Sequence, residues 1–182
     1  GERAIEEVVK TIASQFKVSK NKIFVASTGV IGEPFPTQKV IKAIKEKKSP
    51  SKNWIDAACS IMTTDTYPKG ISINTFIGNQ KIRITGIAKG SGMIEPNMAT
   101  MLGFIFTDAE LSQSILKSLI SKFIPNSFNS ISVDGDESTN DTVIWTSTNT
   151  KKMNKKIHSM NDKRVKKFQL DLEKVVLYFA EG

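Results

Sequence analysis

A small residue followed by threonine stands where a glycine-rich loop meets an apolar segment. Ala99 and Thr100 follow Gly90 and Gly92 and precede the apolar run 102–107. A threonine hydroxyl needs an adjacent base to act as a nucleophile. A free α-amine, whose ordinary pKa is about 7.7–8.0, suits that task near neutral pH. Cutting the backbone between Ala99 and Thr100 would therefore create the nucleophile and its base on one residue.

The surrounding residue types favour such a cut without requiring it. Ala99 offers little steric obstruction to attack on its carbonyl carbon. Gly90 and Gly92 permit dihedral angles that other residues avoid, and backbone strain is one driver of an N-to-O acyl shift. The same pattern also fits an ordinary loop before a core strand, so composition alone leaves both interpretations open.

Four long motifs decide between these interpretations. The segment 89–109 runs from Lys-Gly-Ser-Gly through Met-Ala-Thr-Met, and 134–143 reads Asp-Gly-Asp-Glu-Ser-Thr-Asn-Asp-Thr-Val. Upstream, 27–32 reads Ser-Thr-Gly-Val-Ile-Gly and 62–69 reads Met-Thr-Thr-Asp-Thr-Tyr-Pro-Lys. In this order the motifs resemble the glutamate N-acetyltransferase family, also called ornithine acetyltransferases, of arginine biosynthesis. The resemblance extends over essentially the whole chain.

The resemblance implies an activity and a fold. Acetyl would pass from N-acetylornithine to glutamate by a ping-pong mechanism through an acetyl-threonine ester. No cofactor is expected, although acetyl-CoA is an alternative acetyl donor in this family. The expected fold is α+β, with helices packed on mostly antiparallel sheets in a self-processing N-terminal-nucleophile type of sandwich.

The resemblance also carries roles for individual residues. They are Thr100 as nucleophile and substrate contact, Ala99 and Thr100 as the cleavage site, Thr28 and Gly29 as the oxyanion hole, and Thr63, Lys89 and Glu181 as further substrate contacts. Segment 27–29 also fits the plain end of a strand, and Glu181 also fits a frayed helix end. A different register would place Thr64 or Thr66 in the role of Thr63.

The family pattern further predicts how the chain is organised. Residues 1–182 would form one partial acetyltransferase domain that lacks the family's first strands and its C-terminal part. Cleavage would divide it into fragments 1–99 and 100–182, which stay together and assemble as an oligomer of heterodimers in the cytoplasm. Two alternatives remain open. One is a related self-processing aminopeptidase or amidase, and the other is an inactive truncated domain or basic binding protein.

Composition argues against several other classes of protein. The net charge of +8 suggests nucleic-acid binding as a possible function. However, the basic runs 151–156 and 163–167 have no interleaved aromatic residues to stack on bases. A single cysteine, Cys59, excludes an internal disulfide and is expected as a buried residue of a helix. One cysteine and one histidine, His158, argue against a zinc site. Neither a membrane span nor a signal peptide is evident.

A further acidic cluster invites a metal interpretation, which its spacing does not support. Asp134, Asp136, Asn140 and Asp141 lack the spacing and final glutamate of a calcium-binding loop. We interpret them instead as a turn whose side chains bond nearby backbone. No metal is expected.

Hydrophobic periodicity predicts the elements that must hold these residues. Helices are expected at 3–17, 37–47 and 170–180, with others starting after a Ser49-Pro50 cap and after an Asp108 cap. Strands are expected at 22–27, 71–77, 81–88, 102–107, 127–133 and 141–148.

Overall fold

The computed structural model describes residues 1–30, 32–47, 53–90, 101–130 and 141–181. The elements in chain order are α1 (Glu2–Phe16), α2 (Thr37–Glu46), α3 (Trp54–Ile61), β1 (Lys69–Ile77), β2 (Gln80–Lys89), β3 (Leu102–Ala109), α4 (Gln113–Phe123), β4 (Thr142–Lys151) and α5 (Lys166–Glu181). Short 3-10 turns lie at Lys20–Lys22, Phe128–Ser130 and Lys163–Val165. In these ranges no helix has the length and apolarity needed to cross a membrane.

In the part of the chain that the structure describes, four strands form one mixed sheet in the order β1-β2-β3-β4. β1 and β2 make an antiparallel hairpin whose turn contains Gly78 at φ +57°, a conformation that favours glycine. β2 and β3 are also antiparallel, whereas β3 and β4 are parallel and are joined through α4. The α+β class is thus confirmed, and the parallel pair makes the sheet mixed.

The main core lies between the sheet and the helices α4 and α5. Ile82 and Ile84 of β2 are fully buried, as are Leu119 of α4 and Val175 of α5. Gly86 has a specific reason to lack a side chain, because a Cβ there would lie 2.6 Å from the Phe179 ring. The close approach of α5 to β2 therefore depends on this glycine.

The N-terminal helices are less deeply packed. α3 lies on β1 and β2, where the Trp54 ring is 5.0 Å from that of Phe106 in β3. α1 and α2 pack against each other, and the Gln15 side-chain amide donates to the Ile44 carbonyl at 2.7 Å. Val8 is the only buried residue on these two helices.

Two expectations for the N-terminal part are wrong. Segment 22–27 is not a strand, because a short 3-10 turn is followed by chain that joins no sheet. Isolated apolar alternation does not make a strand without a pairing partner. Cys59 lies on α3 as predicted, but its side chain is exposed because the helix turns that residue away from the sheet.

The structure also corrects two helix caps. α3 begins after Asn53, whose side-chain oxygen accepts from Ile55 N at 3.0 Å, and the predicted cap at Ser49-Pro50 lies outside the described residues. α4 is capped by Ser112, because β3 extends to Ala109 and Asp108 accepts from the amide of Arg83. The expected strand 127–133 begins as a 3-10 turn, and its later residues lie outside the described ranges.

Candidate active site

A buried lysine marks the site at the end of β2. Lys89 is 1% exposed, and its Nζ donates to the Thr28 hydroxyl at 2.9 Å. Burial lowers the pKa of Lys89, while the negative charges of Asp65 and Asp141 oppose that change. Thr28 and Lys89 are 61 positions apart in sequence, so the fold itself joins two of the predicted site residues.

Asp65 links the predicted substrate-contact loop to the end of β2. One carboxylate oxygen accepts from the amide of Thr63 at 3.2 Å, and the other accepts from the amide of Gly90 at 2.8 Å. The carboxylate is buried, with its side chain 1% exposed. Asp65, which has no role among the predicted site residues, therefore connects Thr63 to the region of Lys89.

Lys69 accompanies Asp65 as a buried counter-charge. Its Nζ lies 3.8 Å from the Asp65 carboxylate, and its side chain is 7% exposed. The same ammonium group donates to the carbonyl oxygen of Gly90. Since β1 begins at Lys69, the hairpin holds this lysine against the strand end that carries Lys89.

The described residues on either side of segment 91–100 lie close together at this site. Lys89 pairs with Leu102 across β2 and β3, and a Cβ on Gly90 would lie 3.5 Å from the Met101 Cα. The Met101 amide donates to Asp141 at 3.0 Å, and the Met101 carbonyl accepts from Thr142 N at 3.1 Å. The residue that follows Thr100 is thus held from both sides by the start of β4.

The structure brings some of the predicted site residues together and does not describe others. Thr28 and Lys89 are in direct contact, and Thr63 is joined to their neighbourhood through Asp65. Ala99 and Thr100 lie outside the described residues, so the predicted nucleophile and cleavage site stay predictions. Asp134, Asp136 and Asn140 also lie outside them.

Two further predicted residues lie at the surface of the described structure. Gly29 is exposed, and a Cβ built there would meet nothing within 4 Å, so the described neighbours impose no need for glycine. Glu181 is exposed in the last turn of α5, the helix whose Phe179 packs on Gly86. Neither is among the hydrogen-bonded partners of the Lys89 cluster as far as the described residues go.

Three residues of this cluster, Asp65, Lys69 and Asp141, were not among the predicted site residues. Asp65 and Lys69 lie inside the quoted segment 62–69, and their opposite charges four positions apart were a usable signal. Asp141 was expected to bond local backbone, and it does bond backbone, although that of Met101, forty positions away. A hydrogen bond across such a separation has no local sequence signature.

The chemistry available here is that of a cation and a hydroxyl group side by side, next to the residues that flank segment 91–100. A buried ammonium group and a hydroxyl, Lys89 and Thr28, can together bind a carboxylate or an oxyanion. Within the described ranges, no group of three or more His, Cys, Asp or Glu side chains could hold a metal ion.

Comparisons with known proteins agree with this description. The sequence matches the model of the ArgJ family over residues 1–182. Three similar proteins are named arginine biosynthesis bifunctional protein ArgJ. The one from Caulobacter vibrioides is 41% identical over 99% of this chain and 45% of its own length. Those from Bartonella henselae and Neisseria gonorrhoeae are 45% and 50% identical over 81% and 75% of this chain, and 37% and 34% of their own lengths.

These alignments define both the family and the extent of the match. The chain spans less than half the length of these curated relatives. The family match nevertheless covers all of it, and 41% identity extends over nearly the whole chain. This chain therefore belongs to the ArgJ family.

Proposed function

We propose that this chain carries out acetyl transfer from N-acetylornithine to glutamate in arginine biosynthesis. The observation that carries the proposal is the contact between buried Lys89 and Thr28 beside both ends of the segment that contains Thr100. Membership of the ArgJ family and the printed names of the relatives support the same activity.

The reaction begins with self-cleavage. The Thr100 hydroxyl attacks the Ala99 carbonyl carbon, the C–N bond breaks, and the Thr100 nitrogen takes a proton as the acyl group moves to oxygen. Water then hydrolyses this ester and releases a carboxylate on Ala99. The free α-amine of Thr100 becomes the base that its hydroxyl needs. Gly90, which precedes this segment, has a φ of +141°, a conformation that residues with side chains rarely adopt.

Two acyl transfers follow at the same hydroxyl. Thr100 attacks the acetyl carbonyl of N-acetylornithine, ornithine leaves with a protonated amine, and an acetyl ester remains on the enzyme. The amine of glutamate then attacks that ester, forms N-acetylglutamate and regenerates the hydroxyl. Thr28 and Gly29 stabilise the tetrahedral oxyanion in both steps, and such donors are worth about 3–4 kcal/mol each.

The remaining predicted residues recognise the amino-acid substrates. The Lys89 ammonium binds a substrate carboxylate, and Thr63 adds a polar contact. Glu181 meets the side-chain amine of ornithine. No cofactor takes part in this exchange, and acetyl-CoA is the alternative donor.

The proposal includes the organisation of the chain. Residues 1–182 form one partial domain of the N-terminal-nucleophile type of sandwich, and the cut yields fragments 1–99 and 100–182. These fragments remain associated, assemble further as an oligomer of heterodimers, and act in the cytoplasm. Pairing of β2 with β3 supports their association, because the cut falls between these two strands.

Intact mass spectrometry followed by an acetyl-transfer assay tests the proposal. Two masses that meet at Ala99 and Thr100, with N-acetylglutamate and ornithine formed together, are the expected result. Thr100→Ala should give one uncut chain without transfer, whereas the control Thr150→Ala, at an exposed position late in β4, should behave like the wild type.

Three outcomes would contradict the proposal. Release of acetate without transfer to glutamate would identify a self-processing amidase. A single uncut mass without transfer would identify an inactive domain. A cut Thr100→Ala variant would remove Thr100 from the role of nucleophile.

A further inference from the structure

Both polar backbone groups of Gly90 are held by one buried ion pair. The Gly90 amide donates to Asp65 at 2.8 Å, and the Gly90 carbonyl accepts from Lys69. Asp65 and Lys69 lie 3.8 Å apart, and both side chains are almost fully buried. We refer to these two residues as the Gly90 clamp.

We propose that Asp65 and Lys69 are positioning residues that fix the spacing between Lys89 and Thr63, and thereby the shape of the pocket for amino-acid substrates. This inference rests on the proposed function, since it assumes that Lys89 and Thr63 contact substrate. It adds two residues that act through the backbone and need not touch substrate themselves.

The bonding pattern of Asp65 supports this role. Its two oxygens bind amides from two separate segments, Thr63 in the loop before β1 and Gly90 after β2. A carboxylate that accepts from both amides sets the distance between the segments. Because Lys89 immediately precedes Gly90, a shift of the Gly90 peptide also moves the attachment point of the Lys89 side chain.

The conformation of Gly90 explains why a clamp is useful. Its φ of +141° lies where residues with side chains rarely go, and glycine has more freedom than any other residue to leave it. The hydrogen bonds from the Gly90 amide to Asp65 and from Lys69 to the Gly90 carbonyl restrict that freedom. The ion pair is also expensive to desolvate, which argues that it was kept for a reason other than packing.

A purely structural staple is the competing explanation, and a second buried pair provides the matched control. Asp171 of α5 is buried and pairs with Lys167 at 2.7 Å, so it resembles Asp65 in type, burial and spacing to a lysine. Asp171 also lies 3.8 Å from Lys174 and accepts from Thr75. Thr75 lies six residues along β1 from Lys69, about 20 Å away. Substitution of Asp171 should therefore reduce stability without altering the substrate pocket.

The experiment compares three variants of the clamp with the control Asp171→Asn. The three variants are Asp65→Asn, Lys69→Met and the double variant that combines these two changes. Asparagine has one acceptor oxygen, so Asp65→Asn can keep at most one of the two amide bonds. We expect KM for N-acetylornithine to rise at least about 10-fold, since misplacement by about 1 Å can cost 100-fold. The double variant removes both charges, so it should be more thermally stable than either single variant. Its KM should stay raised, because the bonds to Gly90 remain lost. Asp171→Asn should keep the wild-type KM.

Amide hydrogen exchange measured by NMR makes the test independent of catalysis. The Gly90 and Thr63 amides should be protected in the wild type, lose protection in Asp65→Asn and keep it in Asp171→Asn. If the wild type transfers no acetyl group, the proposed function fails and exchange alone decides the clamp. Unprotected Gly90 in the wild type, unchanged protection in Asp65→Asn, or an unchanged KM in a folded Asp65→Asn variant would overturn the inference.

Discussion

Two buried aspartates, each four positions from a lysine, differ in the groups that they bind and in the exposure of their lysine partners. Asp65 binds two backbone amides and faces Lys69, whose side chain is only 7% exposed. Asp171 accepts from the hydroxyl of buried Thr75 at 2.6 Å, and its partner Lys167 is 58% exposed. The first pair excludes water from both charges, whereas the second has its cation in solvent.

The comparison shows that sequence spacing alone does not set the value of an ion pair. Solvent screens the attraction between Asp171 and Lys167, so that pair contributes at most about 1 kcal/mol. Asp171 also accepts a buried hydrogen bond from Thr75, which solvent does not screen. Asp65 instead needs its lysine, because removing one charge of a buried pair leaves the other without compensation.

The largest expected effect comes from breaking the buried pair on one side. Lys69→Met leaves the Asp65 carboxylate buried without its counter-charge, which should destabilise the protein by about 3–5 kcal/mol. Lys167→Met, the matched change at the exposed pair, should cost less than about 1 kcal/mol. Urea denaturation of both variants measures the difference. Equal losses would mean that the two pairs are equivalent and that burial does not separate them.

A smaller effect is expected from Asp171→Ala. Its loss leaves the hydroxyl of Thr75, which is 0% exposed, without its acceptor, at a cost of about 1–3 kcal/mol. For a chain of this size the melting temperature should fall by about 2–12 °C. Calorimetry checks this value. Thr75→Val in the same background should add little, and a further large loss would show that Asp171 stabilises through other contacts.

The contribution of Asp171 should also depend on pH. Burial alone would raise its pKa, but the hydrogen bonds from Lys167 and Thr75 outweigh burial and lower the pKa below its ordinary value of 3.8. A depressed folded-state pKa contributes stability above the unfolded value, and this contribution is lost as pH falls through the folded value. The difference in melting temperature between wild type and Asp171→Asn should therefore shrink below about pH 4. A constant difference down to pH 2 would contradict this assignment.

The smallest expected effect is a shift of the pH profile at the site. In the proposed function Lys89 binds a carboxylate in its protonated form, and burial already lowers its pKa against the opposing charges of Asp65 and Asp141. Asp65→Asn removes one of those charges, so the Lys89 pKa should fall further. The alkaline decline of kcat/KM should therefore move to lower pH. The profile of Asp171→Asn should coincide with that of the wild type, and a shift there would point to a global cause.

Local pattern predicted the elements well where pairing was also local. The hairpin of β1 and β2 has alternating apolar residues around Gly78-Asn79, and the structure has it in that register. Segment 22–27 has a similar apolar character but joins no sheet. Asp108 looked like a helix cap, yet an amide from Arg83, 25 positions away, binds it within β3. The first error arises because a strand needs a pairing partner that local sequence does not show. The second arises because a strand and a helix cap compete for the same carboxylate.

The site was predicted in part, for a different reason. Thr28, Thr63 and Lys89 came from motif resemblance, and the structure joins them directly or through Asp65. The spacing of Asp65 and Lys69 in the sequence suggests an ion pair, but it does not reveal the two backbone amides that Asp65 binds, because only the fold brings them together. Positioning residues of this kind can be identified only in a structure, whereas residues expected to contact substrate can be recognised by their type in the sequence.

The place of the predicted cut has a consequence for how the protein assembles. β1 and β2 belong to one predicted fragment and β3 and β4 to the other, yet they form one sheet, and Asp171 bonds to Thr75 across that division. Before the cut, the connection keeps the halves at an effective concentration on the order of millimolar. After the cut, refolding becomes a second-order reaction. The melting temperature of the mature protein should then rise with protein concentration, while that of the uncut Thr100→Ala chain, if it stays monomeric, should not.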